Sequence, residues 1–446
     1  MRSGPTFVLA IAMVCVSAET INAQDISSVH EINIYTYLAP LTLLLIFSEL
    51  IYLGVTRKKL LSFQEAIANL GTALGNQTMN VLIAATVYVI YGYLWTNFRI
   101  YTIELNVYTL FILLILMDFF SYWVHRWGHA INILWAIHSP HHSGEEFNIF
   151  VGLRASVTQR VFTFSVLWPL TILGFTPFDI YLVNGIHLFI ALFQHVTWTG
   201  KTERLGVIFN TPSHHRVHHA VNKQYLDKNF SDFLIVWDKL FGTFEPERDE
   251  CIYGMYNPPR SWNPLIINFH YFGVLWRDAA ATSSYVDKVR VWFMPAGWRP
   301  RDLSPFDHDQ ITRQEQLRYR SPMFLGAKLY LIVQAVTAIP FTVMIISPET
   351  GLTNEARWLG GLLLWIWIVN WGGLLEARKW AWASEIIRVF LMLGYFCWIF
   401  FTNTPIIVSS LVFNVYSLVW TLIYFRPGSS TFLSNQPLGY QFRRPI

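Results

Sequence analysis

The sequence predicts an all-α fold: a polytopic bundle of transmembrane helices with a cytoplasmic, histidine-rich cap built for two metal ions. Three observations lead there. The 446 residues are 53% hydrophobic and only 13% charged, far from the averages of a soluble domain. Several apolar runs reach the roughly 20 helical residues that cross a hydrocarbon core of about 30 Å. Finally, 11 of the 14 histidines fall between positions 125 and 219.

Taken in chain order, residues 1–30 read as a leader. Arg2, an apolar run at 7–16 and the small Ser17-Ala18 fit either a secretory signal removed near residue 23 or an uncleaved anchor. Apolar runs follow at 34–55, 81–95, 107–124, 324–346, 358–374, 387–401 and 406–425. Two more, 161–175 and 180–196, are parted by the turn-like Thr176-Pro177. The total is about nine spans, or seven with a re-entrant hairpin.

Orientation follows from the basic residues, which favour the cytoplasmic side of short loops. One alternation places Arg57-Lys58-Lys59, Arg126, Arg154, Arg160, Arg378-Lys379, Arg426 and Arg443-Arg444 all inside. Every histidine cluster then faces the cytoplasm. Residues 31–260 form a membrane domain with the histidine motifs, 261–321 a polar cytoplasmic segment, and 322–446 a second transmembrane block. That last block shows hardly any ionisable residue at membrane depth and is expected to give packing or a lipid groove rather than chemistry. Cys15, Cys251 and Cys397 have no paired spacing, which argues against a disulfide framework or a thiolate metal site.

The histidines form three arrays. His125 and His129 extend the run at 107–124, and their i, i+4 spacing places both imidazoles on one helical face. Asp118 and Tyr122 share that stripe. A carboxylate there could accept the second N–H of a ligating histidine and fix its tautomer, or pair with Arg126. The other arrays are His138-Ser-Pro-His141-His142 and His215-Arg-Val-His218-His219. Eight imidazoles exceed what one metal of four to six ligands can use, so the arrays imply a dinuclear centre; imidazole alone leaves iron, zinc, copper and nickel open. His195, ending an apolar run, is a ninth candidate ligand; His187 and His214 are supporting or merely buried residues.

In these motifs the chain resembles the fatty acid hydroxylase superfamily, whose signature is His-x3-His, His-x2-His-His and a later His-x2-His-His on a membrane scaffold. The context Asn210-Thr-Pro-Ser-His214-His215, then Asp227-Lys-Asn229 and Trp237-Asp-Lys-Leu-Phe-Gly-Thr-Phe-Glu245, is similar to the branch that cleaves glyceryl ethers. The resemblance implies a non-haem pair of iron ions, O2 as oxidant, tetrahydrobiopterin as electron donor and an endoplasmic reticulum membrane. It implies an ether-lipid substrate hydroxylated on the alkyl carbon beside the ether oxygen, yielding a fatty aldehyde and a glycerol derivative. Relatives commonly carry an acidic residue after the second histidine of the first array, where this chain has Ala130. Glu145, Glu146 and Arg154 are the candidate pterin-binding residues, and Asp118, Tyr122 and Asp238 the candidate catalytic ones; Asp227 and Glu245 are further polar candidates. The alternatives are a sterol or fatty acyl hydroxylase or desaturase with another donor and, from a different class, a metal transporter. The His-Glu-x-x-His helix of a zinc hydrolase is missing.

Overall fold

A computed structural model describes residues 34–58, 60–201, 205–304, 318–321, 323–401 and 404–425. The leader, Arg426 and Arg443-Arg444 lie outside them. Among the described residues the regular structure is helical, with only isolated β-bridges besides. The helices are α1 (Ile34–Thr56), α2 (Phe63–Phe98), α3 (Val107–Ala130), α4 (Asn132–His142), α5 (Ile149–Gly152), α6 (Gln159–Leu173), α7 (Pro177–Phe193), α8 (Pro212–His218), α9 (Val236–Leu240), α10 (Pro264–Ala281), α11 (Tyr285–Phe293), α12 (Leu325–Ile346), α13 (Asn354–Leu375), α14 (Lys379–Ile399) and α15 (Thr404–Tyr424).

Among the described residues six helices are long and apolar enough to cross a membrane, α2, α3, α12, α13, α14 and α15, and Pro40–Thr56 of α1 and all of α7 are shorter apolar helices. Helices α6 and α7 have 15 and 17 residues, or roughly 23 and 26 Å, each short of the about 30 Å of a hydrocarbon core. Helix α2 begins well before the run at 81–95, because Ser62 caps it by accepting from the Glu65 N–H. Its first half buries Asn69, Thr72 and Asn76 against neighbouring elements. Those polar side chains lower the local hydropathy without making the helix a surface one.

Helices α12 to α15 pack around a core that includes Tyr330, Leu364, Trp367, Ile368 and Trp371. This block corrects the expectation that it lacks buried ionisable residues. Glu385 and Arg388 on α14 are 1% and 0% exposed and form an ion pair of 2.5 Å. Asn370 donates to Glu385 at 2.9 Å, and Tyr330 also hydrogen bonds it. The opposite charges one turn apart, with polar partners from facing helices, make their burial tolerable; a hydropathy average hides both.

The histidine elements gather at one end of α3. Helix α3 packs on α4, α6 and α7, and α4 is hooked onto the α10–α11 hairpin by Asn132, whose amide donates to the Val291 and Trp298 carbonyls.

Candidate metal centre

Nine histidines converge in two adjoining groups. The first contains His125 and His129 from α3, His138 and His142 from α4, and His218 from α8; the second contains His141, His195, His215 and His219. Within each group the nearest ring nitrogens all lie within 4.8 Å of one another. The His-x2-His-His spacing suggests that the first and second rings of each array work together and the third points elsewhere; instead the i, i+4 pairs stay together, His138 with His142 and His215 with His219, while His141 and His218 each turn to the other group. The groups touch where the His142 and His219 rings stack with centroids 4.4 Å apart.

The rings are held from behind. The Nδ1 of His125 lies 2.7 Å from the Phe230 carbonyl, that of His141 3.2 Å from Arg154 O, that of His195 2.8 Å from Ala191 O, and that of His218 2.9 Å from Lys228 O. His138 Nδ1 faces Gln159 Oε1 at 3.3 Å. A carbonyl can only accept, so each of these Nδ1 atoms carries the proton and each Nε2 presents a lone pair. The Nε2 atoms then crowd together: His195, His215 and His219 form a triangle with edges of 3.1 to 3.2 Å. His142 Nε2 lies 3.0 to 3.1 Å from those of His129, His138 and His218. His125 Nε2 is buried with no hydrogen-bond partner.

Facing lone pairs repel unless a cation sits among them, so the donor set fits metal. Either group would hold a metal ion through neutral imidazole nitrogens, a donor type that leaves iron, zinc, copper and nickel open. Burial keeps the rings neutral. It is the leading cause that lowers His138, His141, His142, His215, His218 and His219 well below the usual imidazole range, with neighbouring imidazoles adding to it, and it brings His195 to about 4.

The other candidates serve the loop at 227–234. Asp118 does not reach a histidine, nor does it pair with Arg126. Its carboxylate accepts from the Phe233 and Leu234 N–H groups at 2.8 and 2.9 Å and from the Trp237 indole at 2.8 Å. Asp238 accepts from the N–H groups of Phe230 and Ser231 and from the Thr243 hydroxyl, at 2.8, 2.9 and 2.7 Å. Tyr122 is fully buried, its hydroxyl 3.0 Å from Thr243 Oγ1 and 3.1 Å from Arg126. These residues fix the loop whose Lys228 and Phe230 carbonyls hold His218 and His125. Asp227 and Asn229 adopt positive φ of 56° and 53°, which short polar side chains tolerate.

The acidic pair after His142 and Arg154 are likewise engaged elsewhere. Glu145 accepts from the Tyr319 N–H at 2.6 Å, and Glu146 from the Ser62 N–H at 2.8 Å. Arg154 is buried and donates to Pro140 O, Asn69 and Ser143 at 3.0, 2.9 and 2.8 Å. None of the three lines the cavity that opens onto the histidines. That cavity, of about 350 Å³, is bounded by His129, His142, His218 and His219 together with Trp135, Asp227, Asn257 and Tyr271. The Asp227 carboxylate lies 3.7 Å from His129 Nδ1. His187, hydrogen bonded to Leu114 O at 3.3 Å, and His214 belong to neither group.

Sequence reasoning missed Gln159, Lys228 and Phe230 as partners of the rings. The Asp-Lys-Asn stretch at 227–229 was a usable signal, since it supplies the two unusual backbone conformations.

The model of the fatty acid hydroxylase family matches residues 110–243, which contain all nine histidines. Human alkylglycerol monooxygenase is 33% identical over 316 residues, covering 69% of this chain and 70% of that protein. Its Xenopus tropicalis counterpart is 28% identical over 418 residues, 90% of each chain. Ornithine lipid hydroxylase OlsE of Rhizobium tropici is 31% identical over 149 residues, 33% of this chain and 41% of that one. No solved structure matches the chain. Similarity of this extent, shared with a hydroxylase domain that contains every converging histidine, shows that the chain belongs to the alkylglycerol monooxygenase family.

Proposed function

We propose that the two histidine groups each hold an iron ion and that the chain hydroxylates the alkyl carbon beside the ether oxygen of glyceryl ethers, with O2 as oxidant and tetrahydrobiopterin as donor. The observation that carries this reading is the two adjoining sets of lone-pair-bearing Nε2 atoms. A bound iron pair would supply the O2 activation that attack on an unactivated C–H bond needs, which no side chain can provide.

The chain's own part is to hold, orient and keep dry. His125, His129, His138, His142 and His218 would bind one ion, and His141, His195, His215 and His219 the other. Phe230 packs edge-on against His125 and Phe147 stacks on His195, so the rings behind the site exclude water. The cavity at His129 and His142 would take the reacting end of the lipid and the donor. There Trp135 offers a flat apolar wall, and Asp227 an acidic group at a mouth where Ala130 supplies none. Asp118, Tyr122 and Asp238 act on this reading as positioning residues, and Glu145, Glu146 and Arg154 secure the loop after His142. Residues 31–260 would form the catalytic membrane domain, 261–321 its cytoplasmic segment and 322–446 the accessory block.

Relatives named for ornithine lipid hydroxylation and sterol desaturation make the substrate the point to test. Purified protein in nanodiscs is assayed for metal by mass spectrometry and for aldehyde release from an alkylglycerol. The expected result is two irons per chain and aldehyde only with reduced pterin. Hydroxylation of a sterol or acyl chain with another donor would replace this reading with the alternative. Weakly held zinc without turnover would replace it with metal transport.

A further inference from the structure

The cap carries an apolar surface that the proposed chemistry does not use. Leu205, Val207 and Ile208 from one segment and Val236 and Leu240 from α9 are exposed, Leu240 by 66%. Their backbones are joined: Asn210 donates to Phe233 O at 2.7 Å and Ile235 to Ile208 O at 3.0 Å. The Lys239 ammonium donates to Val207 O at 2.6 Å. Lipid-facing non-helical chain does not occur in the hydrocarbon itself, and Lys239 is exposed beside Leu240; apolar side chains outside, with a charged group among them, suit the headgroup–acyl boundary.

The patch also continues the lipid-facing side of α3. Trp237 packs on Phe119 with centroids 5.2 Å apart, and Phe241 stacks on Tyr122 at 5.3 Å and lies 5.1 Å from Trp123. Asp118, which anchors the patch through Phe233, Leu234 and Trp237, lies six residues, about 9 Å, before the end of the apolar run at 107–124.

We infer that this surface lies in the headgroup–acyl boundary of the bilayer beside α3, as a wedge that seats the histidine centre at the membrane surface. The occupant is lipid, because Trp237 and Phe241 join the patch to Phe119, Tyr122 and Trp123 of a helix long and apolar enough to span. The inference goes beyond the proposed reaction and does not depend on it.

Nitroxide labels at V207C and L240C, and at the exposed Lys223 as K223C, are introduced in full-length chain with Cys15, Cys251 and Cys397 changed to Ser, in nanodiscs. Collision with O2 is compared with collision with a water-soluble nickel chelate. The wedge gives an O2-to-nickel ratio several-fold higher at 207 and 240 than at 223. Equal ratios at all three sites would overturn it. Low access to both agents at 207 and 240, with spin–spin broadening, would assign the surface to a second copy of the chain and overturn it equally. Should the cysteine-free chain fail to fold, a diazirine-bearing lipid photolysed with the unmodified protein decides instead. Adducts at 205–209 and 236–240 are expected, and their absence alongside labelled α12 refutes the wedge.

Discussion

Asp238→Asn tests whether the loop behind the histidines sets metal affinity. The carboxylate is fully buried and accepts three hydrogen bonds of 2.7 to 2.9 Å, from Phe230 N–H, Ser231 N–H and the Thr243 hydroxyl. Asparagine keeps one oxygen but turns an amide donor toward another donor, and the surviving bonds lose their charge assistance. Losing one charge-assisted bond and weakening the others costs about 3 kcal/mol locally. The Phe230 and Lys228 carbonyls, 2.7 and 2.9 Å from His125 and His218, then lose their fixed positions. Removing such outer support typically lowers metal affinity about 10- to 100-fold. The loss is selective, because His141 and His195 are held by Arg154 and Ala191, away from this loop. Chelator titration with metal analysis is expected to show one ion released at 10- to 100-fold lower chelator than in the parent, and the other unchanged. Release of both ions together, or an unchanged profile, would refute the argument.

Two further outcomes follow from burial. The second-group histidines lie below their usual value near 6.5, His195 at about 4. At these residues the unfolded chain binds more protons than the folded one below pH 6.5, so their contribution to stability falls as pH drops. The melting temperature of the metal-free protein minus that of its His195→Gln variant is expected to be constant above about pH 6.5 and to fall toward pH 4; a difference that rises on acidification would contradict the sign. In the second block, Glu385→Gln leaves Arg388 buried without its counter-charge, a loss of about 3–5 kcal/mol. Melting is expected to fall with the metal content per chain unchanged, and an unaltered melting profile would show the pair to be dispensable.

Much of this was legible in the chain. Length and apolarity located the helices that bear α3 and α12 to α15, since a spanning helix has few ways to hide its composition. The i, i+4 spacing of His125 and His129 placed both in one group, and the three arrays together marked the histidines that converge, but the His-x2-His-His units divide with the first and third rings together, not the first and second. His195 stood out because an imidazole ending an apolar run needs a partner. The reach of side chains was not legible: Asp118 shares a stripe with His125, yet its oxygens turn to amides more than 110 residues away in sequence. The ring-holding groups on Lys228 and Phe230 are main-chain carbonyls, which carry no residue signature. Glu385 and Arg388 were lost in an apolar average because two opposite charges contribute little to a window of 20 residues.

Helix α3 is one uninterrupted 24-residue rod, apolar for most of its length and bearing His125 and His129 at its end. The other seven imidazoles are fastened to elements beside it. Asp118 and Tyr122 on the same rod grip the segment from Phe233 to Thr243, so a tilt of the rod carries the loop behind His125 and His218 with it and leaves the rings on other elements as the fixed reference.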